Sequence, residues 1–332
     1  MEFIEVFEFI KCTLRKMKIA KRRFFILLTV STCFYFLLTC TKKKSEKSND
    51  DTPTSGSISI AVDESLRLLF ESEVHTFEHI YTNAKINVFY VSEQEAIDLL
   101  IKDSVRLAIV TRTLSHEEQA LLEKQKIAPH QVKVAVDAIG MIVHKANKDT
   151  CLSYQTLTDL LKGHIPSWKN INSKSKLGNI TIVFDHASSG TFRFVKDSIL
   201  KGDTIPSNFF ALKTNLDVLK HVEENKNAVG IIGVSWISDK DDSTSLHFSK
   251  KINVLGFEKE NECYQPYQAY IAEKKYPLLR HIYMISREAR TGLGSGFIAF
   301  VSSDKGQRIV LKLGLLPATM PIRVVNLNQE EL

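Results

Sequence analysis

The segment Asp185-His186-Ala187-Ser188-Ser189-Gly190-Thr191 is the part of this 332-residue sequence whose residue types and spacing best suit chemistry. It follows an apolar run, Asn179–Phe184, and precedes an amphipathic stretch, Thr191–Leu200, so it reads as a strand-to-helix junction. Ser189 or Ser188 is placed to cap that helix, whose first turn leaves backbone N–H groups free. Gly190 permits close backbone approach. Hydroxyls, free N–H groups and the positive helix end together favour a bound anion, although a plain helix cap would use the same residues. The arrangement recurs at two other predicted strand ends. Asp63-Glu64-Ser65 follows one run, and Thr111-Arg112-Thr113-Leu114-Ser115 follows another, ahead of Glu117 and Glu118. Arg112 suits bidentate contact with an oxyanion or carboxylate, or equally an ion pair with those glutamates. Arg193 is a further candidate anion contact or a surface residue of the helix.

Other chemistries fit less well. Asp185, His186 and Ser189 contain the residue types of a hydrolytic triad. Groups three or four apart at the start of one helix do not align as orienter, base and nucleophile. There is no Gly-x-Ser-x-Gly elbow, so an enzyme is not expected. Gly292-Leu293-Gly294-Ser295-Gly296 resembles a dinucleotide loop in composition, but it lacks a convincing strand ahead and the sixth-position glycine, and reads as a flexible loop. The ten histidines are scattered and no Cys/His metal spacing occurs, so neither a metal nor a cofactor is expected.

The elements that must position these junctions alternate. Strands are expected at Ser57–Val62, Ile86–Val91, Leu107–Thr111, Val132–Val143 and Asn179–Phe184, and helices at Leu66–Ile80, Glu93–Lys102, Ser115–Glu123, Ser153–Lys162 and Thr191–Leu200. Such alternation implies parallel sheets flanked by helices, with ligands bound beyond the carboxyl ends of strands. Trp168 and Trp236 have no aromatic neighbours in sequence and read as core or lobe-interface residues.

The amino-terminus decides the compartment. Lys18, Lys21, Arg22 and Arg23 precede an uncharged, apolar-rich run from Phe24 to Thr39, and Cys40 follows. This is the grammar of a secretory signal. The run spans only about 24 Å as a helix, short for a bilayer core, although an uncleaved anchor helix would give the same topology. Leu37-Leu38-Thr39-Cys40 resembles a lipobox, with Cys40 as the lipidation site and Cys33 as a fallback. Residues 1–16 precede a second methionine, Met17, and read as an over-long start. Residues 1–39 carry seven Lys/Arg and three Asp/Glu; subtracting that +4 from the chain's +6 leaves about +2 for the remainder, too little to support nucleic-acid binding. Residues 40–56 read as a flexible tether. With Cys40 lipidated, Cys151 and Cys263 are left as either a disulfide in an oxidising envelope or two buried thiols.

Taken in order, several segments resemble the phosphate-binding component of bacterial phosphate ABC transporters. They include Gly56–Ala61, Ala108–Leu114, Val136–Val143, Leu152 to Trp168-Lys169, Ser189-Gly190-Thr191, Ala228–Ile232, Tyr276-Pro277-Leu278 and Phe300 to Gly314. The resemblance spans Gly56 to about Val324. It implies an α/β, two-lobed type II periplasmic-binding fold, each lobe a mostly parallel sheet flanked by helices, with 57–137 and 250–332 in one lobe and 138–249 in the other. It implies ligand contacts from Ser65 or its neighbour Glu64, and from Thr111, Arg112, Ser189, Gly190 and Thr191, with Asp185 and Ser188 in the same loop. It also implies a monomeric, lipid-anchored periplasmic or cell-envelope protein that delivers phosphate or a similar oxyanion to an inner-membrane permease. Two departures stand out. Asp185 lies where the family often carries arginine, and Arg112 where well-known members carry aspartate, so an Arg112–Asp185 pair across the cleft is expected to keep the charge balance. Asp63 and Glu64 place carboxylates where an anion should sit, unless they face solvent. An envelope interaction protein that kept the fold and lost its ligand is the alternative.

Overall fold

The computed structural model describes residues 51–321 except 239–246 and 249. The basic cluster, the apolar run, Cys33 and Cys40 all lie outside the described residues.

Period-two and short apolar runs form the strands. In chain order these are β1 (Gly56–Asp63), β2 (Ala84–Val91), β3 (Leu107–Val110), β4 (His130–His144), β5 (Cys151–Ser153), β6 (Thr181–Phe184), β7 (Phe209–Ala211), β8 (Ala228–Gly233), β9 (Ile252–Val254), β10 (Gly256–Lys259), β11 (Glu262–Tyr264), β12 (Leu279–Ser286) and β13 (Leu316–Pro317). Ten of them join in the order β2-β1-β3-β12-β4-β8-β6-β7, with β13 and β9 also on β4. Strands linked by helices pair in parallel, as β1 does with β2 and β3, and β6 with β7 and β8. The antiparallel pairs enter where the chain crosses between lobes. The first part of β4 pairs β12 and β13, and its second part pairs β8 and β9. One 15-residue strand thus belongs to both lobes. β9, Ile252–Val254, pairs with the second part of β4 at Ile142–His144.

The helices are α1 (Arg67–Ile80), α2 (Glu93–Ile101), α3 (His116–Lys124), α4 (Tyr154–Leu161), α5 (Trp168–Ile171), α6 (Gly190–Val195), α7 (Asn215–Glu224), α8 (Ser235–Ser238), α9 (Gln268–Ala272), α10 (Leu293–Val301) and α11 (Asp304–Lys312). Their starts follow the expected chemistry. Ser92 caps α2, Ser153 caps α4, and Ser115 with Glu118 forms a capping box on α3. Trp168 is fully buried and donates its indole N–H to Asn227 O at 3.1 Å. Trp236 crosses between lobes and donates to Ser65 O at 3.0 Å.

Two expectations change, and of the two alternatives for Cys151 and Cys263 the disulfide is the one found. Residues 51–55 are not free tether. Thr52 and Ser55 close a tight turn, Asp51 Oδ1 accepts the Leu293 N–H at 2.7 Å, and Pro53 lies so close to Gly296 that no Cβ fits there. The Gly292–Gly296 segment is not a flexible loop. It follows β12 and opens α10, and Glu288 takes the N–H groups of Gly294 (3.1 Å) and Ser295 (2.8 Å), so the helix end is closed by the chain's own carboxylates. Cys151 and Cys263 form a disulfide linking β5 to β11.

One core residue breaks the apolar pattern. On α1 the buried stripe Leu69, Phe70, Glu73, Val74 and Phe77 has helical spacing, so position 73 must face inward. Glu73 is fully buried, and neither carboxylate oxygen has a hydrogen-bond partner. Burial pushes its pKa up to about 9. A carboxyl raised in the folded state stabilises fully below its unfolded value, near 4.5, and that stability drains away as pH rises towards 9. At pH 7 the loss amounts to roughly 3 kcal/mol at 1.36 kcal/mol per pKa unit. Glu73→Gln is therefore expected to raise the thermal midpoint at pH 7 to 8 and to leave it nearly unchanged at pH 4.5. A midpoint difference independent of pH would show that folding does not shift the Glu73 carboxyl and would overturn this reading.

Candidate functional site

The loops after β1, β2, β3 and β6 converge with the start of β12 on one buried polar cluster. The geometry starts from a cross-strand pair: Arg280 on β12 lies directly opposite Asp137 on β4. Arg280 donates from Nε to Asp137 Oδ2 at 2.8 Å, and its Nη2 lies 2.7 Å from the same oxygen. Both side chains are out of contact with solvent. The rest of the guanidinium reaches both lobes, donating to Ser65 Oγ at 3.0 Å and to Thr191 Oγ1 at 3.3 Å. Burial alone would lower the arginine's pKa, but Asp137 and Asp63 raise it, so the charge is retained.

Around this cation sit four more buried carboxylates. Asp63 ends β1; its Oδ1 accepts the Ser65 N–H (3.0 Å) and its Oδ2 the Gly190 N–H of α6 (2.9 Å). Glu64 Oε2 accepts both the backbone N–H (3.1 Å) and the amide (2.7 Å) of Asn215, the first residue of α7. Glu93, first residue of α2, accepts the N–H (2.7 Å) and hydroxyl (2.5 Å) of Thr111 on Oε2 and the Arg193 Nε–H on Oε1. Asp185 accepts from Ser189 Oγ (2.5 Å) and Asn215 Nδ2 (3.2 Å), while Ser189 Oγ caps α6 through the Phe192 N–H (3.1 Å). Burial, reinforced by Glu93, pushes Asp63 up to about 7. Burial also raises Glu64 and Asp185. It acts the same way on Glu93, but the Arg193 charge and the Thr111 donors more than offset it and hold that carboxyl below the ordinary glutamate value.

The expected residues are partly brought together. Glu64, Ser65, Thr111, Asp185, Ser189, Gly190 and Thr191 all lie in the cluster. Ser188 stays exposed, its N–H and hydroxyl turned to His186 Nδ1 at 3.1 and 3.2 Å. Arg112 and Asp185 do not pair. Arg112 instead makes a bidentate pair with Glu118, both contacts 2.7 Å, because the capping box of α3 holds that carboxylate beside it; Glu93 is 3.7 Å away. Asp63 and Glu64 do not face solvent. Reading strand ends missed Glu93, Asn215, Asp137 and Arg280. Glu93 opens a predicted helix and Asn215 an observed one beyond the predicted elements, and both carry the ordinary look of helix starts. Asp137 and Arg280 lie within strands, where only a charge inside an apolar run hints at a buried partner.

The interior is tight. A Cβ at Gly190 would meet Glu93 Oε2 at 2.7 Å, and Asp63 Oδ2 and Thr111 Oγ1 closer still, so only glycine lets α6 approach β1 and β3. Among the described residues no group of His, Cys, Asp and Glu is arranged to hold a metal, and no helix is long and apolar enough to cross a membrane.

Two lobes sharing a crossing strand, with polar loops meeting between them, define a binding protein of the two-lobed periplasmic type. Residues 47–305 match the family model for the PBP superfamily domain, and the chain belongs to that superfamily. It is 25% identical over 233 residues to the phosphate-binding protein PstS of Staphylococcus aureus, covering 68% of each chain. In fold it is similar to a Clostridium perfringens protein described as a phosphate ABC transporter substrate-binding protein and solved with bound phosphate. There the TM-score is 0.68 and the identity 22%, over 79% of this chain and all of that one. An ABC-type phosphate transport receptor from Vibrio cholerae is similar at a TM-score of 0.59 and 22% identity, with the same coverage.

Removing one partner of a buried ion pair leaves the other charge uncompensated, at a cost of about 3–5 kcal/mol. Arg280→Met is therefore expected to lower stability by that order in chemical denaturation, and Arg280→Met with Asp137→Leu to recover much of it. If the double variant is as unstable as the single one, the pair is not what Arg280 is held for.

Proposed function

We propose that this chain is an extracytoplasmic solute-binding lipoprotein that captures phosphate or a similar small oxyanion and hands it to an ABC permease. The observation that carries this reading is the convergence of Ser65, Thr111, Ser189, Gly190 and Thr191 with Arg280 between two lobes joined by β4. Hydroxyls, backbone N–H groups and a cation are the donors an oxyanion needs in a water-poor site. The protein's likeness to phosphate-binding relatives supports phosphate as the first candidate. The disulfide fits an oxidising compartment. Lobe I comprises 57–137 with the chain from about 255, and lobe II lies between; closure of the two retains the ligand. Cys40 carries the lipid, and no bond is made or broken in the ligand.

Ligand that binds only the folded protein stabilises it by about 2.7 kcal/mol at a hundredfold excess over Kd. Phosphate, titrated at constant ionic strength near pH 6, is expected to raise the thermal midpoint by a degree or more. Ser65→Ala and Ser189→Ala should lose that shift, while His186→Ala keeps it. No shift with phosphate, sulfate or molybdate would reject oxyanion capture and favour an envelope interaction protein.

A further inference from the structure

The oxyanion donors of this site are already occupied, and by the chain itself. Asp63 holds the N–H of Gly190 and of Ser65, and Glu93 holds the N–H and hydroxyl of Thr111 together with Arg193. Gly190 has no free volume on the side that faces these carboxylates. An oxyanion entering between the loops cannot share these donors with two carboxylates; it must take them over. Resting on the oxyanion-binding reading above, we propose that Asp63 and Glu93 are internal competitors for the ligand's donors, and that capture of an oxyanion is coupled to uptake of a proton by this pair.

The charges facing the pair explain why a proton must enter. Asp63, at the end of β1, is faced by Glu93 from α2, Asp185 from β6 and Arg280 from β12. Arg280 is committed to Asp137. Glu93 is faced by Arg193 from α6 and Arg112 from the β3 loop; Arg193 also meets Asp197, and Arg112 is held by Glu118. Glu64, with Asn215 and Arg67, adds another carboxylate. Five buried carboxylates, counting Asp137, therefore share four arginines, and three of these also pair with outer acids: Arg67 with Glu71, Arg112 with Glu118 and Arg193 with Asp197. A displaced carboxylate loses the hydrogen bonds that favour its ionised form and gains an anionic neighbour, and both effects favour protonation. Once protonated it becomes a donor and can hydrogen-bond the oxyanion that displaced it.

The direction with pH follows. Burial already holds Asp63 near 7, so below neutrality its proton is in place before ligand arrives. Above that value each capture event must import the proton, and one coupled proton weakens affinity about tenfold per pH unit. Calorimetric titration of the protein with inorganic phosphate between pH 7 and 9, in buffers of different ionisation enthalpy, reads both quantities. Phosphate's own titration is common to wild type and variant, so their difference isolates the protein's proton. Relative to Asp63→Asn and Glu93→Gln, the wild type should take up about one proton more per phosphate, and its Kd should worsen by about tenfold more per pH unit. If an amide variant fails to fold, Asp63→Ala and Glu93→Ala remove the same charges without adding a donor. The same pH slope and proton count in wild type and variants overturns the coupling while leaving oxyanion capture intact. Loss of binding in the variants at every pH makes the carboxylates ligand contacts instead and also overturns it. Absence of phosphate binding in wild type and variants alike rejects the capture reading itself, and the coupling with it.

Discussion

The ion pair between Arg280 and Asp137 is the interaction on which the rest of the site depends. Two charges taken fully out of water are costly, and the cost is tolerable only when they face each other with matched geometry. Here strand register does the matching: the two residues are direct partners across an antiparallel ladder, so neither must search for the other. The pair leaves two guanidinium nitrogens reaching Ser65 in one lobe and Thr191 in the other. One buried cation thus fixes the strand that crosses between lobes and the hydroxyls on either side of the crossing.

The acid that surrounds this cation would be untenable without donors. Each buried carboxylate has recruited backbone N–H groups or hydroxyls at strand ends: Ser65 and Gly190 for Asp63, Thr111 for Glu93, Asn215 for Glu64, and Ser189 for Asp185. These are the groups that a strand–hydroxyl–helix junction leaves unsatisfied. The same device recurs far from the cluster, where Asp51 and Glu288 close the start of α10. At these junctions the chain answers its own free donors with carboxylates. That habit turns a Gly-rich helix start that superficially suggests nucleotide binding into a structural joint, and leaves an anion-friendly loop already partnered.

How much of this was legible in the sequence depended on how local each signal was. The ten expected strands and helices follow the alternation of apolar runs, displaced by no more than a few residues at their ends, while the short β5 and α5 gave no such signal. The strand-end loops were found because hydroxyl, glycine and helix start are neighbours in the chain. Arg280 was not, because it lies at the start of β12, away from any strand-to-helix junction, and its partners Asp137, Thr191 and Ser65 are between 89 and 215 residues away. The expected Arg112–Asp185 pair failed through local competition: Glu118 is held close to Arg112 by the capping of its own helix, and Asp185 spends its oxygens on Ser189 and Asn215. Asp51–Ser55 reads as tether by composition, yet orders because Gly296 and the open start of α10 give it a seat.

The contacts that hold the lobes together at the site are few and polar. Five of them run from Asp63 to Gly190, Glu93 to Arg193, Glu64 to Asn215, Arg280 to Thr191 and Trp236 to Ser65, and Thr111 to Arg193 and Gln94 to Ser188 add to these. Three of these five rest on a carboxylate whose charge depends on its neighbours. Apolar contacts across such a seam would hold it shut whatever the pH, since burial of hydrocarbon does not titrate. Polar contacts whose acceptors are acids in excess of their cations hold only while the acids keep their donors. An entering anion and an entering proton act on the same bonds from two sides: one takes the donor, and the other removes the charge that needed it. Closure around a ligand and closure in its absence are then alternative uses of one set of N–H and O–H groups, which is the arrangement expected if the lobes are to reopen once the ligand leaves.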